Sequence, residues 1–348
     1  MAQPDSTTPP CSVVIVNYNG TKLLENCLSS VLSQEYPSFE VLLVDNGSSD
    51  DSVSFVRAHF PEVSVIESAT NLGYAGGNNL GARCARHDRI VLLNNDTIVQ
   101  PGWLVHLMET FAGPAVGIAS SLVITVGIPP EYYERNGSLN LLGHNIMRVF
   151  SVPENIFYGG GASVAFRKER FGEPFDADYF AYGEDVYLGL RCRFMGFQVK
   201  HVNDSRVQHL GGATSRQARP AWVTMLQERN RLLNLVLFFS AWTLFRLLPL
   251  FVLNAVAKLA LAMGGKRYSA AGLLRAYGWF FSHPREIARK RQELRKERRV
   301  DEREVLSWMT ARLTNGESAA GKAANWFSLA YCRITGLRTV ESLPPGVR

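Results

Sequence analysis

Four clusters of Asn, Asp and Gly stand where short apolar runs end, and their chemistry suits a diphosphate and a cation. Ser12–Asn17 (SVVIVN) runs into Asn17-Tyr18-Asn19-Gly20, and Glu40–Asp45 (EVLLVD) into Asp45-Asn46-Gly47-Ser48-Ser49-Asp50. Ile90–Asn94 runs into Asn94-Asn95-Asp96-Thr97, and Asn71-Leu72-Gly73-Tyr74-Ala75-Gly76-Gly77-Asn78-Asn79 lies between the second and last of these. Glycines let a backbone pass close to a ligand, and a helix N-terminus that follows them favours an anion. Asp45 and Asp96 place carboxylates at two strand ends, which suits a nucleotide base or ribose and a divalent cation, because hard cations take oxygen ligands and bridge to diphosphate. Any one cluster reads equally well as an ordinary turn. Four at one sheet edge point to a ligand site.

The elements that must hold these clusters alternate. The apolar, β-branched runs at Ser12–Asn17, Glu40–Asp45, Val63–Glu67 and Ile90–Asn94 predict buried parallel strands. Between the first two, TKLLENCLSSVLSQ sets Leu24, Cys27, Leu28, Val31 and Leu32 on one helical face. Ser48-Ser49-Asp50 offers N-caps for a second helix through Val53 and Val56. The class is α/β, a mostly parallel Rossmann-like sheet flanked by helices, with the loops gathered at the strand carboxyl ends. Neither GxGxxG after the first strand nor GxxxxGK[ST] occurs, which argues against a dinucleotide oxidoreductase and a P-loop protein.

Taken in order, VVIVNYNG, LLVDNGSSDDS, NLGYAGGNN, LLNNDT, FDADYFAYGEDVYLGLR and QHLGGATS with ERNRLL resemble glycosyltransferase family 2, whose fold is GT-A. The resemblance covers roughly residues 11–235 and is nearest to bacterial rhamnosyltransferases and O-antigen or cell-wall sugar transferases. It implies a nucleotide-diphosphate sugar donor and Mg²⁺ or Mn²⁺. Asp45 matches the aspartate at the donor's nucleobase, with Asn17, Tyr18 and Asn46 around it. Gly76, Gly77 and Asn78 match the segment beside ribose and diphosphate. Asp96 matches the last aspartate of the DxD-type metal motif, with Asn94 and Asn95 in place of its earlier positions, and His209 a histidine that completes the metal shell in some members. Glu184 and Asp185 match the acidic pair whose aspartate is the catalytic base. Gly160, Gly161 and Tyr182 fall on the acceptor side. Only QARPAW stands near the QxxRW position of processive synthases, so a single addition is expected.

The chemistry explains the acidic pair. An inverting transfer is one displacement, in which the acceptor hydroxyl attacks the anomeric carbon while the nucleotide diphosphate leaves from the opposite face. A carboxylate within hydrogen-bond reach must take the hydroxyl proton, and a cation offsets the charge growing on the diphosphate. The plain alternative is that Glu184 and Asp185 only favour the first turn of a helix. For His209 the plain alternative is a surface histidine.

Composition and charge frame the rest. Hydrophobic residues are 46% and charged residues 20%, a globular balance. Cys11, Cys27, Cys84, Cys192 and Cys332 form no CxxC pair, which fits a reducing compartment. The expected organisation is a disordered leader over 1–10 and a transferase domain over 11–231. Its donor half covers about 11–123 and its acceptor half about 158–231, with Ile124–Ile156 as an insertion or mobile loop. Apolar helices over 232–265 and a basic tail over 266–348 follow. Arg246, Pro249 and Lys258 interrupt the apolar stretch, and no unbroken run reaches the ~18–20 residues of a simple spanning helix. Between Lys266 and Arg312 stand 13 Lys/Arg against 6 Asp/Glu, a net +7 in a chain of +6. Helices lying on an anionic membrane surface, with Trp242 at headgroup depth, fit these features. The expected place is then the cytoplasmic membrane face, with a lipid-linked saccharide as acceptor and no nucleic-acid partner. A spanning helix, and an ordinary helical core or homodimer contact, compete for the apolar stretch. Two other functions stay open: a nucleotidyltransferase, for which NYNGTKL supplies only Lys22 as a basic phosphate contact, and a non-catalytic membrane scaffold, against which the Asp45, Asp96 and Asp185 set argues.

Overall fold

The computed structural model describes residues 9–127, 137–146, 149–150, 152, 154–211, 220–264, 268–316 and 318–344. Most of the expected leader, the Pro129-Pro130 pair and the start of QARPAW lie outside these. The chain forms two compact units. The first draws on Met1–Glu134, Gly159–Leu188 and Phe197–Gly212, the second on Arg135–Tyr158, Gly189–Gly196 and Ala213–Arg348.

The first unit is built on eight strands: β1 (Cys11–Asn17), β2 (Phe39–Asp45), β3 (Ser64–Glu67), β4 (Arg89–Asn94), β5 (Thr97–Val99), β6 (Val116–Thr125), β9 (Ser163–Arg167) and β10 (Gln198–His209). Their order is β3-β2-β1-β4-β9-β6-β10-β5. The first four strands pair in parallel, as their apolar runs require. β9 runs antiparallel to both β4 and β6, so the sheet is mixed at its centre. The expected helix is α1 (Thr21–Leu32), and its Leu24, Cys27, Leu28 and Val31 are buried. α2 (Ser52–His59) starts without a side-chain cap of its own. Instead the Asp50 carboxylate accepts from Thr21 N and Ser52 N at 3.1 and 3.2 Å, serving the first turns of both helices.

Helices α3 (Gly73–Cys84) and α4 (Trp103–Glu109) complete the layers. α3 lies close on the sheet: a Cβ at Gly77 would stand 2.8 Å from Val16, and one at Gly81 would overlap Val14. Trp103 is fully buried, and its indole N–H donates to Ser121 and Ser163 at 3.1 and 3.0 Å. Ser205 closes this network by donating to Trp103 O at 2.9 Å, which fixes α4 against β6, β9 and β10 without an orphaned polar group among them. α5 (Lys168–Phe171) is short, and α6 (Glu184–Phe194) brings its first turn to this unit.

The second unit is helical. It contains α7 (Ala221–Phe238), α8 (Ala241–Met263), α9 (Ala270–Ser282), α10 (Pro284–Glu297), α11 (Glu302–Ser307) and α12 (Ala319–Thr335), with a two-stranded sheet of β7 (Ser138–Leu139) and β8 (Asn145–Ile146). Two readings change here. Residues 137–146 are no loose insertion, because Leu139, Leu141 and Leu142 are buried. The Asn140 side chain holds their turn by accepting from Leu142 N and His144 N at 3.0 and 2.9 Å. The apolar stretch over 232–265 is shared between the end of α7 and α8, and α8 runs unbroken for 23 residues through Arg246, Pro249 and Lys258, which interrupt the apolar run in the sequence. The charges are tolerated because Lys258 is buried against Glu228 at 2.5 Å, while Arg246 donates to Thr335 O. α7 also runs continuously through position 231.

Candidate active site

Strand register assembles the first group. β1 pairs with β2 so that Asn17 faces Asp45, and with β4 so that Val16 faces Asn94. Three strand ends therefore stop at one level. The Asn17 amide bridges them: its Oδ1 accepts from Asn95 Nδ2 at 2.8 Å, and its Nδ2 reaches Asp45 Oδ1 at 3.5 Å. The first is a full hydrogen bond and the second is at the limit of one. Asp45 Oδ2 accepts from Ser48 N at 3.0 Å, which orients the carboxylate. Tyr18 is half exposed beside this buried chain. Gly20 is required, since a Cβ there would overlap Asn17 Oδ1 and lie 2.6 Å from Asn95 Nδ2.

Asn46 does a different job. Its amide donates to Asn71 Oδ1 and Gly73 O at 3.1 and 2.9 Å, and its Oδ1 accepts from Leu72 N at 3.1 Å. It shapes the turn that starts α3. Gly76 and Gly77 are buried, with Leu72 and Val16 as their nearest neighbours, so both serve close packing. Asn78 donates back to Tyr74 O at 2.9 Å within the helix. Asn79, which the motif reading left without a role, exchanges two bonds with the Phe175 backbone and ties α3 to the segment before Asp176.

The second group forms where β5 meets β10. Their antiparallel register sets His209 opposite Thr97, next to Asp96. His209 Nε2 then lies 3.1 Å from Asp96 Oδ1, and Leu210 N donates to Asp96 O at 2.9 Å. These two side chains, far apart in sequence, offer a carboxylate oxygen and an imidazole nitrogen to a cation. Among the described residues no group of three or more His, Cys, Asp or Glu gathers around a metal position. A cation here needs further oxygens from a ligand.

The third group is the start of α6. Glu184 is buried, and its Oε2 has no hydrogen-bond partner among the described residues. Asp185 Oδ1 accepts from Val186 N at 2.8 Å. Burial pushes both carboxyls above the usual range. The Asp185 charge raises Glu184 further, while backbone N–H bonds hold Asp185 back. The two carboxyls therefore compete for a proton in one buried space. The loop before α6 is strained: Phe180 and Tyr182 have φ of 60° and 72°, values that bulky residues rarely adopt. Gly73 accommodates it, since a Cβ there would overlap Phe180 O.

Tyr74, which sequence reasoning passed over, joins the groups. Its hydroxyl donates to Gly161 O at 2.5 Å. Burial raises its phenol, and so do the nearby charges of Glu184, Asp185 and Asp96. All three acids therefore lie within electrostatic range of one ring. Gly160, beside that contact, is exposed and faces open space.

Residues 12–173 match the model of glycosyl transferase family 2. The O-antigen biosynthesis protein RfbC of Myxococcus xanthus is 28% identical over 227 residues, which are 60% of this chain and 18% of that protein. The match thus spans less than a fifth of that relative's length. GalNAc-T7, solved with UDP, GalNAc and Mn²⁺, superposes with a TM-score of 0.58 at 17% identity over 68% of this chain and 49% of its own. A mannosyltransferase from Pyrobaculum calidifontis, solved with GDP-Man and Mn²⁺, gives 0.52 at 21% identity over 84% and 86%. The fold is GT-A.

Proposed function

We propose that this chain, whose residues 12–173 are a glycosyl transferase family 2 domain, moves one sugar with inversion from a nucleotide-diphosphate sugar to a saccharide hydroxyl. One observation carries the reading: the buried Tyr74 phenol feels the charges of Asp96, Glu184 and Asp185, and His209 stands 3.1 Å from Asp96. Asp45, Asn17 and Tyr18 would receive the nucleobase. Asp185 accepts the proton of the attacking hydroxyl as its oxygen bonds to the anomeric carbon and the bond to the diphosphate oxygen breaks. Glu184, protonated, keeps a second negative charge out of the same buried space. Asp96 and His209 would hold the cation. The mixed oxygen and nitrogen set suits Mn²⁺ better than Mg²⁺, which prefers oxygen throughout. When bound, the ion neutralises charge growing on the leaving diphosphate. Proton magnetic resonance of the product tests the central step. One nucleoside diphosphate per transferred sugar, with the anomeric configuration opposite to the donor's, is expected, and a retained configuration would contradict it.

The similarity to an O-antigen biosynthesis protein of Myxococcus supports a saccharide of the cell envelope, and the sequence resemblance to rhamnosyltransferases makes dTDP-L-rhamnose the donor to try first. A lipid-linked acceptor is supported by α8. By length and composition that helix could cross a membrane. Yet polar contacts hold one face of it at three points between Thr243 and Lys258: Thr243 Oγ1 donates to Glu302 at 2.9 Å, Arg246 O accepts from Tyr331 at 2.6 Å, and Lys258 pairs with Glu228. The opposite face exposes Trp242, Phe245, Val252 and Val256. A helix fixed this way fits a position in the plane of the cytoplasmic membrane surface, with basic residues of α10 and its neighbours drawn to anionic lipid.

A further inference from the structure

Three helices of the helical unit carry no carboxylate. α8, α9 and α12 contain no Asp or Glu, in a chain that has 31 of them. α12 packs through one side only, where Gly321, Ser328 and Cys332 are buried. Its other side is apolar and bare. Trp326 is 72% exposed and Ile334 85%, and Ala323, Phe327 and Ala330 fall on the same stripe at helical spacing. Apolar residues exposed singly are ordinary, whereas a contiguous patch marks an interaction. This patch continues onto α8. The Tyr331 ring stacks on Phe327 with centroids 6.3 Å apart, and its hydroxyl donates to Arg246 O at 2.6 Å. Arg246 in turn donates to Thr335 O of α12. One turn before Arg246 stands Trp242, stacked on Phe245 at 5.8 Å, and both are exposed. Two aromatic pairs, one from each helix, thus flank a single polar joint.

We infer that α12 forms one lipid-facing surface with α8, and that an anionic bilayer covers it. The inference rests on the reading of α8 as a membrane-surface helix and extends it to a helix far along the chain. Charge decides between the occupants. Lys322 and Arg333 are exposed one turn before and two turns after Trp326, along one edge of the stripe. In a twofold contact the same patch meets itself, so these cations would face a surface without carboxylates. An anionic bilayer supplies the opposite charge, and it places Trp242 and Trp326 at the headgroup level that indoles favour. Apolar burial by two helices also holds a domain more firmly than one helix does, because the attraction scales with the apolar area buried.

Flotation of the full chain with vesicles of phosphatidylcholine and phosphatidylglycerol is the test. Trp326→Asp together with Ile334→Asp is expected to weaken binding about tenfold or more, because charges replace two side chains that leave water. Lys322→Gln together with Arg333→Gln is expected to weaken it less and to flatten its salt dependence, with no effect on pure phosphatidylcholine. Brominated phosphatidylcholine in the vesicles gives a local reading. It should quench the tryptophan fluorescence, and Trp326→Phe should remove part of that quenching while the chain still floats. Melting curves check that the variants fold, and the conservative Trp326→Phe keeps the test informative if the Asp pair is unstable. If the wild-type chain floats but neither the Asp pair nor Trp326→Phe differs from it, α12 is no part of the surface and α8 stands alone. Failure of the wild-type chain to float at low salt would remove the reading of α8 as well. A wild-type dimer that the Asp pair dissociates in lipid-free sedimentation would assign the surface to a second copy and overturn the inference.

Discussion

At the scale of single residues, the account turns on two neighbouring carboxyls with different duties. Asp185 must be ionised to take a proton, and burial has raised its range. Transfer should therefore rise with pH along an acid limb that lies above that of an ordinary aspartate, because protonating the base abolishes its function. A pH–rate profile of kcat/KM checks this, and a limb at or below pH 4 would speak against Asp185. Asp185→Asn should keep nucleotide binding and lose transfer by ~10²–10⁴-fold, since the amide is nearly the same shape but cannot accept the proton. If transfer by that variant is near normal, Glu184 or Asp178 becomes the base. In the sequence Asp45 and Asp96 stand out where apolar runs end, whereas Asp185 and His209 stand out only through the resemblance to the family's motifs. The Tyr74 hydroxyl was not legible, since its partner is a backbone carbonyl 87 residues away and only the fold reveals it.

At the scale of elements, glycines show how far local reading reaches. Gly76 and Gly77 read as places where a ligand meets the backbone, and a Cβ at either would also meet Leu72 or Val16. A glycine that admits a ligand and one that admits a packed side chain look alike in sequence. Gly20 gave no separate signal, yet it alone leaves room for the Asn17–Asn95 bond. Gly20→Ala should cost roughly 1–3 kcal/mol of stability from overpacking and weaken nucleotide binding together with it. Gly160→Ala, where nothing lies within 4 Å, should stay within about 0.5 kcal/mol. Thermal melts with and without nucleotide compare the two, and equal effects would mean that the Asn17 bridge is not tightly packed. The parallel strands were legible from their apolar runs. The antiparallel β9 between β4 and β6 was not, because pairing direction is a property of partners far along the chain.

At the scale of the whole chain, the helical unit was the least legible part. Charges inside an apolar stretch read as interruptions, and only the fold shows that Glu228 neutralises Lys258 within a continuous helix. That also changes how membrane attachment is best tested, since a cut at Arg231 would sever α7. Trp242 is 65% exposed and Phe245 64%, so replacing both with Asp alters the apolar face without entering the core. The full chain should float with anionic vesicles, salt should weaken that in part at up to ~1 kcal/mol per engaged Lys or Arg, and the double variant should sediment. Flotation unchanged by the two substitutions would move the contact elsewhere.

Asp96 and His209 are expected to help a nucleotide-diphosphate sugar give up its sugar, which release of nucleoside diphosphate measures. A panel of nucleotide sugars, dTDP-L-rhamnose among them, is incubated with the full chain in Mn²⁺, in Mg²⁺ and in excess chelator, beside Asp96→Ala. At least one donor should be turned over by the wild-type chain with a divalent ion, with turnover lost in chelator and crippled in Asp96→Ala, while His209→Ala retains more. Undiminished turnover in chelator, or in Asp96→Ala, would contradict it.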